Sequence, residues 1–303
     1  MAEKIRKQHY VWEHYLTGWA VGGKVWCQRG KNRFQTSTEN IAQRRDFYRL
    51  REMSERDVLL VNQYIDQMAP HLQEMARGWI PVFTDLFEIR KLYRATGQQD
   101  AELEKELDVA INNTEEDLHS SIENAAVPIL AALRQGDFSI LDDQESYVDF
   151  ASYMAAQHLR TYAMEARMLQ NAKMLVQLGA NMEAIWGILR TISVTSAGFH
   201  FFSEHDSTRL TILNASPSSE FITGDQPMLN LLSDGVTPPA KLELYYPLAP
   251  SRALLMDFGH SKATRESRAL SIEEVQIYNR RIAKSSEGQV YASSEAALSA
   301  LTL

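Results

Sequence analysis

The spacing of apolar residues changes character three times along the chain. Over residues 8–20 apolar and polar positions alternate irregularly, which predicts a short strand or a turn. "KVWCQRG" and "RFQTS" then read as two strands around Gly30-Lys31-Asn32, a hairpin by its turn chemistry. Thr38 precedes a short turn-rich connection, "ENIAQRRDFYRL". From Ser54, a good N-cap, Val58, Leu59, Val61, Ile65, Met68 and Leu72 recur at helical spacing. Pro70 and Pro81 are predicted to break or kink that region. Leu103, Leu107, Ile111, Leu118, Ile122, Ile129 and Leu133 form the stripe of a helix over 100–135, kinked at Pro128 and ended by Gly136. Asp142 and Glu145 read as a capping box for a helix running as far as Leu178, and Asn181 caps another over roughly 182–199. Beyond residue 200 the pattern shortens to "RLTILNA", "EFITGD", "LELYYPL" and "ALLMDF", strands punctuated by Ser, Pro, Gly and Asp. Ser271 and Glu274 form a second capping box, opening a helix over 272–284.

This order predicts an α+β fold, a mainly helical middle flanked by an N-terminal β-hairpin and a small C-terminal antiparallel sheet. No repeat, low-complexity stretch or long linker interrupts it. The expectation is one domain over 1–303, with a basic hairpin segment 1–51, a helical region 52–200 and a β-rich part 201–303 with closing helices. At 45% hydrophobic and 23% charged residues, 303 residues can bury a sizeable core. No run of about 18 apolar residues predicts a membrane span, so no membrane partner is expected. The first ten residues lack the apolar stretch of a secretory signal. Cys27 is the sole cysteine, which rules out an intrachain disulfide and a Cys-rich zinc site and predicts a reducing, cytoplasmic location.

Charge divides the chain. The net charge is −8, yet residues 1–51 hold eleven Lys and Arg against four acids. Residues 100–123 hold nine acids against one Lys. Two readings follow: a local polyanion site, or internal docking of the basic segment on the acidic one.

Motifs narrow the chemistry. "GWAVGGK" has the spacing of half a phosphate loop, but Val25 stands where Ser or Thr would hold a metal, and a strand follows. His9, Glu13 and His14 share their spacing with His200, Glu204 and His205, which matches no established zinc pattern. "EFITGDQPM" delivers Asp225 at a strand end, where carboxylates serve catalysis or metals and where Gly, Asp and Pro equally make a turn. "AAQHLRTYAMEARM" puts Gln157, Arg160 and Thr161 on an otherwise apolar helix, so Arg160 needs a carboxylate or an anion. Glu123 and Asp225 are its candidate partners.

"QHYVWEHYLTGWA", "KVWCQRGKNRFQTS", "TENIAQRRDFY", "IENAAVPILAALRQGD", "FASYMAAQHLRT", "FITGDQP" and "LYYPLAPSRALLM" occur in an order that resembles the domain-of-unknown-function family 4238. The resemblance covers most of the chain, least over residues 60–100. It implies that the family's recurring polar positions fall on His9, Tyr10, Glu39, Asn40, Asp46, Tyr48, Glu123, Gln157, Arg160, Thr161, Asp225 and Pro227. The chain has Trp12, Gly224 and Gln226 where the family prefers Pro, Ser and Asn.

The functional expectation is a nucleic-acid-directed protein acting as a metal-assisted hydrolase. Lys7, Tyr10, Trp12, Arg29, Lys31 and Arg33 would hold the phosphates and stack the bases of a single strand, with Trp26 a further stacking candidate. Asp225, Glu123, Gln157 and His9 would carry the chemistry with a divalent metal as cofactor, and Arg160 would steady an anion. The alternative is a non-catalytic protein with a protein partner, in which the same polar residues form a structural network.

Overall fold

The computed structural model describes residues 3–98, 100–171, 173–233 and 241–301. The polar opening forms β1 (Lys7–His9), whose middle residue, Gln8, is buried. One helical turn follows, α1 (Glu13–Leu16), burying Tyr15 and Leu16. The hairpin is β2 (Lys24–Arg29) with β3 (Asn32–Ser37), and Arg29 pairs with Asn32, so Gly30 and Lys31 make the turn. Gly30 sits at φ 57°, which only glycine adopts freely. β4 (Gln43–Arg45) returns to pair antiparallel with β1.

The helical middle begins with α2 (Glu55–Asp66), capped by Ser54 in a box closed by Asp57. α3 (Pro70–Ala95) carries Pro70 in its first turn, where a missing N–H costs little, and runs on through Pro81. α4 (Ala101–Gln135) runs through Pro128 and ends at Gly136, φ 79°. α5 (Gln144–Leu159) is capped by Asp143, one residue later than expected, because its carboxylate accepts the Ser146 N–H at 2.9 Å. Nor does that helix continue to Leu178. It stops at Arg160, and the Thr161 hydroxyl accepts the Met164 N–H at 3.2 Å, capping a new helix, α6 (Tyr162–Asn171). α7 (Lys173–Gln177) and α8 (Met182–Ser203) complete the middle.

The last third supplies β5 (Arg209–Asn214), β6 (Thr223–Gly224), β7 (Leu229–Asn230), β8 (Glu243–Ala249), β9 (Arg252–Asp257) and β10 (Thr264–Ala269). α9 (Ile272–Ser285), β11 (Val290–Ala292) and α10 (Glu295–Ser299) close the chain, and α9 has the expected Ser271–Glu274 box. Among the described residues the strands form three sheets: β1-β4, β10-β5-β9-β8-β7 and β3-β2-β11-β6. The N-terminal hairpin is therefore continued by two C-terminal strands through antiparallel pairs. β10 lies parallel to β5, and its charged, exposed residues suit an edge strand.

The aromatic run at the start of the chain is core. Tyr10, Trp12, Tyr15 and Trp19 are all buried, packed among residues of α4, α5 and the larger sheet. The Tyr15 hydroxyl donates to the Pro247 carbonyl at 2.9 Å, and the Trp19 indole donates to the Phe221 carbonyl at 2.8 Å. From Phe150 to Gln157 α5 is buried on nearly all sides, and it meets α8 so closely that a Cβ on Gly198 would stand 3.4 Å from the Ser152 Cα. α2, α3 and α8 enclose a second cluster, and the α9 side of the sheets a third. No helix among the described residues is long and apolar enough to cross a membrane.

The β6 end tests this packing. A Cβ on Gly224 would fall 2.0 Å from the Ser286 Oγ and 3.1 Å from the Gln289 carbonyl. Gly224→Ala should cost about 1–3 kcal/mol in urea melts, and Ser286→Ala should recover part of the loss. Equal midpoints for Gly224→Ala and the parent would contradict the contact.

Candidate functional site

α4 is apolar on one side and carries a second, buried polar face: Asn112, Glu115, His119 and Glu123, spaced three or four residues apart. Asn112, Glu115 and Glu123 each find a polar partner outside α4. The Asn112 amide donates to the Ile5 carbonyl at 2.7 Å, and the Gln8 amide donates to the Asn112 carbonyl at 3.0 Å. Lys4 and Arg49 both reach Asp108, each at 2.6 Å. Part of the basic N-terminal segment is thus docked on the acidic helix.

Arg190 on α8 forks onto Glu115, with Nε at 2.8 Å and Nη2 at 2.6 Å. Its guanidinium also lies 4.8 Å from the Tyr48 ring centre. His119 sits beside the same carboxylate at 3.5 Å, and burial lowers its pKa to about 4, so the ring is neutral. One helical turn further, Arg160 pairs with Glu123. Burial acts against the Arg160 charge, but Glu123 beside it raises the guanidinium above its usual value. Of the two partners expected for Arg160, Glu123 is the one that meets it.

Asp225 faces elsewhere. Its carboxylate accepts the backbone N–H groups of Glu287, Gly288 and Gln289 at 2.8, 2.8 and 2.9 Å, tying the end of β6 to the turn before β11. Burial still pushes its pKa up, against the pull of those three donors. The Thr161 hydroxyl donates to the Gln226 side-chain carbonyl, and the Gln226 amide donates to the Met228 carbonyl at 2.9 Å. Gln157 is 1% exposed, yet neither amide atom has a partner; Arg160 Nε and His9 Nε2 are also buried without one. Burial lowers the His9 pKa and raises that of Glu116 to about 7. Among the described residues no three His, Cys, Asp or Glu side chains are grouped to hold a metal ion.

The residues expected to hold nucleic acid are dispersed. Tyr10 and Trp12 are 4% and 9% exposed, so neither ring has a face open to a base. Arg29, Lys31 and Arg33 lie on the hairpin, where Arg33 bonds the Ser299 hydroxyl at 2.7 Å. Lys7 is exposed and pairs with Arg45 across β1 and β4.

Arg45 marks what the sequence reading missed. A groove of about 460 Å³ runs between residues 44–51, α6 and the start of α8. Arg44, Arg45, Arg49, Arg51 and Arg190 line it, with Asp46, Glu115, Glu165 and Glu183. Glu115 is engaged by Arg190 and Asp46 by Arg6, whereas Arg44 and Arg51 make no ion pair among the described residues. The Arg44 guanidinium lies 4.4 Å over the Tyr162 ring. Ala42 and Asp46, which bracket β4, hold φ of 50° and 54°, strained values for residues with a Cβ. Arg190 and Trp186 are 2% and 6% exposed, and Arg190 Nη1 and Trp186 Nε1 are buried donors without partners. Arg190 was discoverable by the rule that singled out Arg160: an arginine in the apolar run "WGILRTIS".

Fold and site together define a mixed α+β protein with a buried charge network beside an arginine-lined groove. The chain belongs to the family described as Protein of unknown function (DUF4238), which matches residues 7–296. No curated protein and no solved structure matches it.

Two measurements test the network. Arg160→Met strands a buried carboxylate and should cost about 3–5 kcal/mol, while adding Glu123→Leu should restore much of the loss. A double variant less stable than Arg160→Met would sink the pairing. Glu116, its pKa raised from an ordinary 4.5, keeps a proton in the folded state between pH 4.5 and 7 that the unfolded chain has lost. Stability should therefore fall as pH rises through that window. Glu116→Gln should be more stable than the parent above pH 7, by roughly 1–3 kcal/mol, and no different below pH 4.5. A pH-independent difference in urea melts would exclude this titration.

Proposed function

We propose that this protein binds single-stranded nucleic acid, with a backbone phosphate held in the arginine-lined groove. One observation carries the reading: Arg190 and Trp186, each with a buried donor that has no partner, line the same groove as Arg44 and Arg51, which make no ion pair among the described residues. Buried N–H groups without acceptors favour a ligand rich in acceptors, and phosphate oxygens are such acceptors. The Arg44–Tyr162 stack offers a planar surface on which a base packs through the guanidinium face. Lys7, beside Arg45, extends the positive rim. The reading is of binding without metal-assisted hydrolysis, because Glu123 and Asp225 already face Arg160 and three backbone donors.

A second reading, an interaction protein with a structural network, is favoured by the docking of Lys4 and Arg49 on Asp108. Fluorescence anisotropy with labelled oligo-U and oligo-dT separates the two. Contact with about four phosphates gives a slope of log K against log salt near −3. Replacing Arg44, Arg45 and Arg51 by Gln should weaken binding at least tenfold and flatten the slope by about 2. No binding at low salt, or an unchanged slope in the variant, would leave the interaction protein as the better account.

A further inference from the structure

A second cleft, of about 650 Å³, opens between α6, β7 and α9. Its cations are Arg167, Arg281 and Lys284, and no Asp or Glu lines it among the described residues. None of the three makes an ion pair among the described residues, on a chain whose net charge is −8. Two are fixed in place. Arg167 donates one N–H to the Ser285 carbonyl at 2.8 Å, and Arg281 donates one to the Leu231 carbonyl at 2.9 Å. Those acceptors orient each guanidinium without neutralising it, which leaves further N–H groups and the full charge for a ligand.

The rest of the lining is mostly apolar, with Met164, Met228, Leu229, Leu231 and Leu242 among the polar Asn230, Ser233 and Ser285. Methionines adapt to a flexible hydrocarbon better than branched side chains do. His158 also lines the cleft; burial lowers its pKa to about 4, so it adds no charge. A site that combines uncompensated positive charge with a methionine- and leucine-rich lining complements a molecule that joins an anionic head to an apolar body.

We propose that this cleft binds a small anionic amphiphile, a carboxylate on a linear hydrocarbon tail, with the carboxylate at Arg167, Arg281 and Lys284 and the tail along Met164, Met228 and Leu242. The volume lies within the range of small-ligand sites. The site is separate from the groove assigned to nucleic acid and stands whether or not that assignment does.

The test is isothermal calorimetry on the full chain with decanoate, decanol and acetate, below any micelle-forming concentration. Decanoate should bind, with decanol and acetate each at least tenfold weaker, because head and tail are both needed. Arg281→Gln combined with Lys284→Gln changes two exposed α9 side chains and should weaken decanoate at least tenfold without lowering the melting temperature. Met228→Asp would lower affinity through the tail, and Met164→Gln, at a half-buried position, repeats that test where Met228→Asp fails to fold. Equal binding of decanol and decanoate, an unchanged affinity in the Arg281/Lys284 variant, or no decanoate binding at millimolar concentration would each overturn the proposal. So would co-sedimentation with phosphatidylglycerol vesicles in the absence of decanoate binding, which would assign the cations to a lipid surface.

Discussion

The structure depends on where α4 puts its buried carboxylates. Glu115 and Glu123 lie two turns apart on one face of a helix whose other face fills the core. A carboxylate cannot enter a low-dielectric interior alone, so each must be met by a cation. Arg190 from α8 meets the first, and Arg160 at the end of α5 meets the second. Hydrophobic contact alone would let three apolar helices slide against one another. The two arginine contacts fix both the rotation of α4 and its register against α5 and α8, since a shift of one turn would leave two charges stranded. Asn112, a turn before Glu115, extends the same logic to the N-terminal segment through paired hydrogen bonds with the backbone of Ile5 and the side chain of Gln8.

The groove follows from this arrangement. Arg190 reaches Glu115 through Nε and Nη2, and that fork determines where the third nitrogen points. Tyr48 and Trp186 flank the guanidinium, so its position is set by packing as well as by charge. On the opposite rim, β4 is held between two left-handed residues and pinned by backbone bonds from Tyr10 to Ala42 and from Asp46 to Arg6. Strain there persists because the docked N-terminal segment over-determines it. Of the two readings that composition left open for this segment, a polyanion site or a docking arm, docking is the one its contacts show. Lys4 and Arg49 dock it, and the docking presents Arg44, Arg45 and Arg51.

The elements with a strong local signal were legible in the sequence. The hairpin, the Ser54 and Ser271 caps, the stripe of α4 with Gly136 at its end, and the strands beginning at Arg209, Glu243 and Arg252 follow from turn chemistry, capping and periodicity. What escaped was decided by distant partners. α5 stops at Arg160 because Glu123 and Gln226 hold the Arg160–Thr161 step, and neither is a local neighbour. β10, with the sequence "TRESRA", has no alternation to read and exists because β5 offers an unpaired edge. The pairing of Arg160 with a buried carboxylate was legible from burial chemistry alone, although which carboxylate was not. The rings of Tyr10 and Trp12 were read as exposed because basic residues surround them; the irregular backbone of residues 8–20 turns charges outward and rings inward.

The departures at Gly224 and Gln226 have a physical reading in the same step. With Ser286 Oγ occupying the space a Cβ would need, position 224 can carry only glycine while Ser286 caps α9. Two residues on, the longer amide of Gln226 spans from the Thr161 hydroxyl to the Met228 carbonyl, joining the cap of α6 to the floor of the second cleft. α6 in turn is a wall of both cavities: Tyr162 and Glu165 face the arginine groove, and Met164 and Arg167 face the amphiphilic cleft. A side chain one carbon shorter would have to surrender some of its three hydrogen bonds, to Thr161, His158 and Met228, or pull α6 toward β7. The identity of residue 226 therefore sets the spacing of α6 from the sheet, and with it the width of the cleft on one side and the reach of Tyr162 on the other.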